Sequence, residues 1–328
     1  MKTSPPQELA AAVRAGDRGA LARGVTLVES TRADHREAAD VLLAACLPHS
    51  GASLRVGITG VPGVGKSTFI EVLGSRLVDA GRRVAVLAVD PTSTVSGGSI
   101  LGDKTRMQQL ASHPSAYVRP SPSGGSPGGV ARRSREVIVL CEAAGFDTVF
   151  VETVGVGQAE TAVHGMVDFF LLLALSGAGD DLQGIKRGII EMADAIAVTK
   201  SDGARMEATE RAKGQFAAAL RLFPPTESGW NPPVHSCSAR TGKGMEEIWA
   251  DVLEFERSMK AGGHFEHRRR QQADRWLHES LDDRLLEALH SDPEIAEMLD
   301  EYAAKVRRRE VSASAAAEAI VDAFRRLR

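Results

Sequence analysis

Apolar and polar residues alternate along this 328-residue chain in three different patterns. Residues 1–50 place Ala, Leu and Val between Arg, Asp and Glu at helical spacing, which predicts two or three amphipathic helices. Residues 51–260 alternate short Val, Ile, Leu and Phe runs with helical segments, as a largely parallel sheet covered on both faces does. Residues 261–328 return to long helical periodicity. We therefore predict an N-terminal helical extension, a central α/β domain and a C-terminal helical arm.

The same patterns give approximate bounds for each element. The helices outside the central domain are predicted near 6–15, 17–31, 34–47, 264–290, 293–309 and 312–327, with caps at Asp17, Thr31, Ser291 or Asp292, and Ser312. The strands are predicted near 54–59, 83–89, 116–118, 147–152, 167–174, 194–199 and 233–237. The central helices are predicted near 65–80, 103–111, 130–144, 185–192, 204–222 and 243–258. Ligands of such sheets bind beyond the carboxyl ends of the strands, so functional residues are expected there.

A phosphate-binding motif follows the first strand of the central domain. The pattern G-x-x-x-x-G-K-[ST] is matched by Gly60, Val61, Pro62, Gly63, Val64, Gly65, Lys66, Ser67 and Thr68. Its glycines let backbone N–H groups converge on a phosphate at a helix amino end, where the helix dipole also favours an anion. Lys66 is expected to reach the β- and γ-phosphates, and the Ser67 hydroxyl to bind Mg²⁺. These residues predict a P-loop NTPase domain.

Two carboxylates end apolar strands on the ligand side of the predicted sheet. Asp90 ends the second strand, where it could bind Mg²⁺ directly or through water. Glu152 and Gly155 match [DE]-x-x-G, in which the acid reaches the metal and the glycine N–H reaches the γ-phosphate. Val156 stands where small regulatory GTPases have a water-orienting Gln. Because an apolar side chain cannot orient water, we predict slow hydrolysis that a partner stimulates.

Polar loops follow three of the predicted strands. Residues 91–105 are rich in Ser, Thr and Gly and lead into Asp103-Lys-Thr-Arg106, which predicts a first switch over the γ-phosphate. Residues 121–129 resemble a flexible linker, but their place inside the alternating pattern predicts a functional loop. Residues 175–188 gather glycines with acidic, basic and amide side chains at a strand end. They predict a third moving element or, alternatively, a solvated loop that leads into the next helix.

A base-recognition pattern follows strand 194–199. Thr199, Lys200 and Asp202 match [NT]-K-x-D, in which the Asp accepts from guanine N1 and N2 and the Lys stem covers the base. Adenine has no paired donors there, so Asp202 disfavours ATP. Thr199 replaces the commoner Asn, which predicts weaker support of the neighbouring loops. The loop that brings a backbone N–H to guanine O6 in such proteins is resembled here by Ser238, Ala239 and Arg240. We predict that GTP and GDP bind.

Composition and charge exclude several other classes. The net charge is −3, from 40 Lys and Arg against 43 Asp and Glu, so no basic footprint for nucleic acid or for a membrane surface is present. Three scattered cysteines suit a reducing compartment. The start of the chain has no apolar signal region, and no run of 18 apolar residues occurs, which predicts a cytoplasmic protein. His264 and His267 lack further Cys or His nearby and predict a solvated pair rather than a metal site.

Taken together, these motifs resemble the MeaB family of ArgK-type GTPases, which accompany methylmalonyl-CoA mutase and belong to the metallochaperone group of P-loop GTPases. The resemblance runs through most of the chain, and its most specific segments are 60–68, 89–93, 152–158 and 177–188. It implies a metallochaperone-like GTPase that gates adenosylcobalamin delivery to the mutase and protects the working enzyme. It also implies a homodimer formed through the C-terminal arm.

The resemblance assigns roles to individual positions. It implies that Lys66 and Ser67 hold phosphates and Mg²⁺, that Lys200, Asp202 and Ala239 read guanine, and that the metal shell comprises Asp90, Asp103 and Glu152. The loop that couples the mutase to hydrolysis would contain Asp180, Gln183 and Lys186. The chain has no D-x-H-x-x-G cobalamin motif, so the cofactor is expected on the partner.

Three other functions share parts of this pattern. Nickel insertion by a related metallochaperone uses the same fold and GTP chemistry, but the scattered Cys and His residues argue against it. A P-loop small-molecule kinase would use ATP, which Asp202 after Lys200 opposes. A binding module that uses nucleotide only to hold its shape would show no turnover with any candidate partner.

Overall fold

The computed structural model describes residues 5–30, 32–89, 107–119, 127–153, 159–176, 187–224 and 226–327, without the side chains of 33, 127–131 and 187. Seven strands are present in these ranges: β1 (Leu54–Gly60), β2 (Val84–Val89), β3 (Ala116–Arg119), β4 (Thr148–Thr153), β5 (Phe169–Ala174), β6 (Ala195–Val198) and β7 (Val234–Ser236). They form one parallel sheet in the order β3-β2-β4-β1-β5-β6-β7. The predicted α/β fold is confirmed, and each predicted strand is present within two residues of its predicted ends.

Helices flank the sheet and fill both ends of the chain. The N-terminal helices are α1 (Pro6–Arg14), α2 (Arg18–Glu29) and α3 (Ala33–Cys46). The central helices are α4 (Lys66–Asp79), α5 (Gln108–Ser112), α6 (Pro127–Ala143), α7 (Ala159–His164), α8 (Arg187–Met192), α9 (Met206–Leu220) and α10 (Met245–Ala261). The C-terminal helices are α11 (His264–His290), α12 (Pro293–Arg307) and α13 (Ala313–Arg326). Asp17, Asp292 and Ser312 accept backbone N–H bonds at helix starts, as predicted.

Three local expectations were wrong. Helix α7 was not predicted, because its six residues are too short to show helical periodicity. Helix α5 begins at Gln108 rather than near 103, and α6 begins at Pro127, so residues 127–129 are helical rather than loop. Proline is tolerated in the first turn of a helix, so Pro127 can begin α6 although the composition of this segment resembles a linker. The N-cap of α3 is Arg32, which makes no side-chain cap bond, and the predicted cap Thr31 lies outside the described residues.

Strand β1 occupies the middle of the sheet and fixes where ligands can bind. It pairs with β4 on one side and β5 on the other, and all its residues except Gly60 are buried. The chain fills the β4 side first and the β5 side afterwards, so the strand order reverses at β1. In open parallel sheets, the crevice beyond the carboxyl ends of the strands at such a reversal binds the ligand.

Charged side chains hold the opposite, amino edge of the sheet. This amino-edge cluster consists of Arg55, Glu142, Asp168, Asp194, Arg268 and Arg269. Asp168, just before β5, binds Arg269 through two bonds of 2.8 and 2.7 Å, and Asp194, just before β6, binds Arg268 at 3.0 and 3.1 Å. The start of α11 is therefore fixed to the amino ends of β5 and β6, and β6 carries the base-recognition loop at its other end.

The Arg55–Glu142 pair of the same cluster is buried. Arg55 donates to the Glu142 carboxylate at 2.8 and 3.0 Å, and Ser53 and the Gly51 N–H donate to it as well. Burial alone would raise the pKa of the Glu142 carboxyl, but the Arg55 charge and these hydrogen bonds together lower it below its ordinary value. Glu142 is therefore ionised in the folded protein at neutral pH.

By compactness the chain divides into two units, Met1–Gln272 and Ala273–Arg328. In the second unit α12 packs against α13, and Ile295, Ala316 and Ile320 are buried. Its part of α11 carries four exposed leucines, Leu277, Leu281, Leu285 and Leu286. The predicted division into residues 1–50, 51–260 and 261–328 remains a prediction about domains. None of the helices in the described residues is both long and apolar enough to cross a membrane.

Candidate functional site

The P-loop lies at the carboxyl end of β1 and closes on the amino end of α4. Gly60, Gly63 and Gly65 have φ angles of 150°, 79° and 103°, a region that favours glycine. A Cβ on Gly60 would lie 2.3 Å from the Leu173 carbonyl oxygen of β5, so a larger residue does not fit there. Apart from the adjoining residues, no atom of the described residues lies within 4 Å of an ideal Cβ on Gly63 or Gly65. The loop is therefore open beside these two glycines, as a phosphate cradle requires.

Lys66 is the first residue of α4 and is largely buried, with 7% of its surface exposed. Its ammonium donates to the Gly60 carbonyl at 2.8 Å and lies 3.5 Å from the Val61 carbonyl. The cation is thus held on the loop itself, beside the helix amino end. Both features suit an anionic ligand, although the contact of Lys66 with the β- and γ-phosphates remains a prediction.

Ser67 and Glu152 meet beside the P-loop. Ser67 is the second residue of α4, Glu152 belongs to the end of β4, and the Ser67 hydroxyl donates to Glu152 Oε1 at 3.0 Å. Glu152 is buried, with 5% of its surface exposed. Hydroxyl and carboxylate oxygens are ligands that Mg²⁺ prefers. The pair fits the predicted Mg²⁺ site, in which Ser67 and Glu152 would hold the ion and the ion would supply positive charge beside the phosphates.

The base-recognition loop contacts the P-loop at two consecutive carbonyls. Lys200 Nζ donates to the Gly63 carbonyl at 2.8 Å, and Thr199 Oγ1 donates to the Val64 carbonyl at 2.8 Å or to the Ala174 carbonyl at 3.2 Å. Lys200 has a φ of 60°, which is uncommon outside glycine and marks a constrained turn. The Thr199 hydroxyl thus reaches the P-loop directly, and weaker support than the commoner Asn would give stays a prediction.

Asp202 borders a pocket of about 290 Å³ between the two loops. The Ser238 hydroxyl donates to the Asp202 carboxylate, and Arg240 Nη1 lies 4.0 Å from Asp202 Oδ1. The Ser201 N–H donates to the Cys237 carbonyl at 2.9 Å, which joins the two segments that carry the base motifs. Other predicted residues that line the pocket are Val64, Gly65, Thr68, Thr199, Lys200 and Ala239. All the predicted base-recognition residues except Ser238 therefore line one pocket, and Ser238 bonds to Asp202 at its border.

Arg205 and Cys237 also line this pocket, although neither was predicted as a site residue. Arg205 ends the short turn Gly203–Arg205 after Asp202, and no sequence pattern marked it. Cys237 directly precedes the predicted motif residues Ser238, Ala239 and Arg240 and is fully buried, and burial raises the pKa of its thiol to about 12. The thiol is therefore neutral at physiological pH and forms an apolar part of the wall.

Some predicted site residues lie outside the described residues: Asp90, Asp103, Gly155, Asp180, Gln183 and Lys186. The same is true of Arg106, at the end of the predicted first switch, and of Val156. Within the described ranges, no three His, Cys, Asp or Glu side chains converge as a metal site. Ser67 and Glu152 are the members of the predicted metal shell that the structure describes.

A parallel sheet with a P-loop at its central strand, a hydroxyl–carboxylate pair beside that loop and an aspartate-bordered base pocket define a P-loop GTPase. The family model for "Methylmalonyl Co-A mutase-associated GTPase MeaB" matches residues 21–294. The chain belongs to this family, as predicted. It is a MeaB-type G protein of a family linked to methylmalonyl-CoA mutase.

Relatives and a solved structure agree with this assignment. A probable GTPase of Mycobacterium tuberculosis is 52% identical over 314 residues, which cover 96% of this chain and 94% of that protein. The mitochondrial methylmalonic aciduria type A homolog of Mus musculus is 45% identical over 320 residues, 94% of this chain and 77% of that protein. A crystal structure named LAO/AO transport system kinase has a TM-score of 0.76 and 34% identity, and the match covers 99% of both chains.

Proposed function

We propose that this chain is a GTP-hydrolysing chaperone of adenosylcobalamin-dependent methylmalonyl-CoA mutase. It binds the mutase, gates loading of the cofactor and protects the mutase from inactivation. The observation that carries this proposal is the family match across residues 21–294, which spans both the P-loop and the base pocket. Because the chain has no cobalamin motif of its own, the cofactor sits on the partner.

In this proposal Lys66 and the P-loop hold the phosphates while Ser67 and Glu152 hold Mg²⁺. The 3.0 Å contact between Ser67 and Glu152 supports a shared ion, since both oxygens already face each other. Asp90 and Asp103 complete the metal shell, and the Gly155 N–H contacts the γ-phosphate. Asp180, Gln183 and Lys186 couple the mutase to hydrolysis.

Guanine is the proposed base, read by Asp202, with the Lys200 stem over one face and the Ala239 N–H at O6. The Ser238 hydroxyl fixes the Asp202 carboxylate, and the bond from Lys200 to the P-loop carbonyl of Gly63 fixes the stem. These contacts support the proposal because specificity for guanine needs an immobile acceptor pair. GTP, GDP and Mg²⁺ are therefore the proposed ligands.

The C-terminal arm is proposed to form a homodimer. Leu277, Leu281, Leu285 and Leu286 are 68%, 52%, 53% and 56% exposed, and their spacing places them along one stripe of α11. An exposed apolar stripe of this length is typical of a protein–protein interface. No nucleic-acid or membrane partner is proposed, and three buried free cysteines suit action in the reducing cytoplasm.

The test is GTP turnover by the purified chain, alone and with a cobalamin-dependent methylmalonyl-CoA mutase. A low basal rate that the mutase raises severalfold supports the proposal, because Val156 cannot orient water unaided. Lys186→Ala should reduce the rise, whereas the control Lys213→Ala, at a partly exposed position of α9, should not. A rate that the mutase leaves unchanged would refute it, and nickel enzymes would then be tested as clients.

A phosphotransferase is the second candidate, favoured by one observation. The 34% identical solved structure is named a transport system kinase. A kinase of this fold would accept ATP, whereas Asp202 disfavours adenine. Competition of unlabelled ATP and GTP for bound fluorescent GDP decides between the two, since tighter ATP binding would favour the kinase.

A further inference from the structure

Helix α5 is a five-residue helix that has no amino-terminal cap of its own. Its N-cap residue is Met107, which provides no side-chain acceptor for the free N–H groups of the first turn. Glu71 of α4 provides it instead. Its Oε1 accepts from Gln109 N at 2.8 Å and from Leu110 N at 3.3 Å, and its Oε2 lies 3.4 Å from Leu110 N. A carboxylate from the P-loop helix therefore caps α5.

The carboxyl end of α5 is held by a charge of the opposite sign. Arg18, the first residue of α2, donates to the His113 carbonyl at 3.1 Å and to the Ala111 carbonyl at 3.5 Å. An anion at the amino end and a cation at the carboxyl end both complement the helix dipole. A helix this short is not stable by itself, so its position depends on these tertiary contacts.

Packing fixes the distance between α5 and α4. The Leu110 side chain is buried, and a Cβ on Gly74 of α4 would lie 2.6 Å from Leu110 Cδ2. Met107 is buried in the same core. The absence of a side chain at Gly74 thus lets Leu110 approach the helix backbone closely.

Glu71 lies four residues after the proposed Mg²⁺ ligand Ser67, so the two side chains share one face of α4. Residues 90–106, which contain Asp90 and Asp103, connect β2 to Met107 and α5. At the other end, Ala88 and Val89 of β2 pair with Glu152 and Thr153 of β4. The β2 end of this segment therefore adjoins Glu152, and its α5 end is joined through Glu71 to the helix that carries Ser67.

We propose that Glu71 and Arg18 are positioning residues for GTP hydrolysis. They hold α5 against the P-loop helix, and thereby fix the attachment of the segment that carries Asp103 relative to Ser67. This inference rests on the proposed metal role of Asp103. It also gives the N-terminal helical extension a function in the GTPase cycle, through Arg18.

The experiment measures GTP turnover against Mg²⁺ concentration, GDP affinity in excess chelator, and melting temperature. The variants are Glu71→Ala, Glu71→Gln and Arg18→Ala, with Asp79→Ala, an exposed carboxylate at the end of α4, as the matched control. In Glu71→Ala we expect kcat to fall about fivefold, the factor that loss of one helix cap corresponds to. The Mg²⁺ concentration for half-maximal turnover should rise by a similar factor.

Glu71→Gln should keep most of the activity, because its amide oxygen accepts from the same N–H groups. Arg18→Ala should change kcat in the same direction as Glu71→Ala. GDP affinity without Mg²⁺ should stay as in the wild type in every variant, because the P-loop and base pocket are untouched.

Unchanged turnover and Mg²⁺ dependence in Glu71→Ala would overturn the inference. A parallel loss of melting temperature and of GDP affinity in excess chelator would also overturn it, because such losses would indicate general damage to the domain. Equal losses of turnover in Glu71→Gln and Glu71→Ala would show that the hydrogen bonds between α5 and Glu71 are not the basis of the effect. A wild-type chain without any Mg²⁺-dependent GTP turnover would instead refute the proposed function itself.

Discussion

Replacement of Arg269 by Ala removes one member of the amino-edge cluster and leaves its partner buried. Arg269 donates to both oxygens of Asp168, at 2.8 and 2.7 Å, and to the carbonyls of Ser53 and Gly51. The Asp168 side chain is 1% exposed and that of Arg269 is 14% exposed, so water screens this pair little. Without Arg269, the Asp168 carboxylate would remain in the interior with fewer compensating charges.

The expected loss of stability follows from this burial. Breaking a buried ion pair by removing one partner costs about 3–5 kcal/mol, because the remaining charge stays desolvated. For a domain of this size, about 2–4 °C of melting temperature is lost per kcal/mol. Arg269→Ala should therefore lower the melting temperature by about 6–20 °C, measured by circular dichroism or differential scanning calorimetry.

Arg257→Ala is the matched control for this measurement. Arg257 forms the same kind of ion pair with Glu254 on α10, but the two side chains are 71% and 54% exposed. Exposed pairs contribute about 0–1 kcal/mol, so the control should melt within a few degrees of the wild type. Equal melting temperatures for the two variants would refute the reasoning, since burial would then not determine the strength of the pair.

Two further predictions concern single contacts. Thr199→Ala should weaken GDP binding about fivefold, because one neutral hydrogen bond to the Val64 carbonyl is lost, and Thr199→Ser should restore it, as measured by titration of fluorescent GDP. Wild-type affinity in Thr199→Ala would show that the contact does not support the P-loop. The Glu142 carboxyl has a lowered folded-state pKa, so its pairing with Arg55 stabilises the fold fully above the unfolded value near 4.5 and this contribution is lost as pH falls through the folded value. The gap in melting temperature between wild type and Glu142→Gln should therefore shrink below about pH 4.5, and a gap that stays constant from pH 3 to 7 would contradict this.

Much of the fold is present in local sequence patterns. The apolar runs of β2, β5 and β6 can be recognised in the sequence because a strand buried on both faces must be apolar throughout. The caps Asp17, Asp292 and Ser312 are readable because a cap acts within three residues of its own position. The P-loop is readable for a similar reason, since Gly60, Gly63 and Gly65 take backbone angles that other residues avoid.

Contacts between distant segments leave no such local signal. Nothing near Glu71 indicates that it caps a helix 38 residues later, and nothing near Arg268 and Arg269 separates a buried ion pair from a solvated basic run. The six residues of α7 fall below the length at which periodicity is visible. Such features become visible only when the chain is folded.

The sequence by itself therefore determined the order of elements, the phosphate loop and the base-recognition motif, because each depends on the chemistry of neighbouring residues. Only the tertiary structure decided that Ser67 lies beside Glu152, that Thr199 supports Val64, and that Arg269 holds the amino edge through Asp168. These pairs are separated by 85 to 135 positions along the chain. Their contacts are set by the strand order of the sheet, which brings distant segments together and which no local pattern encodes.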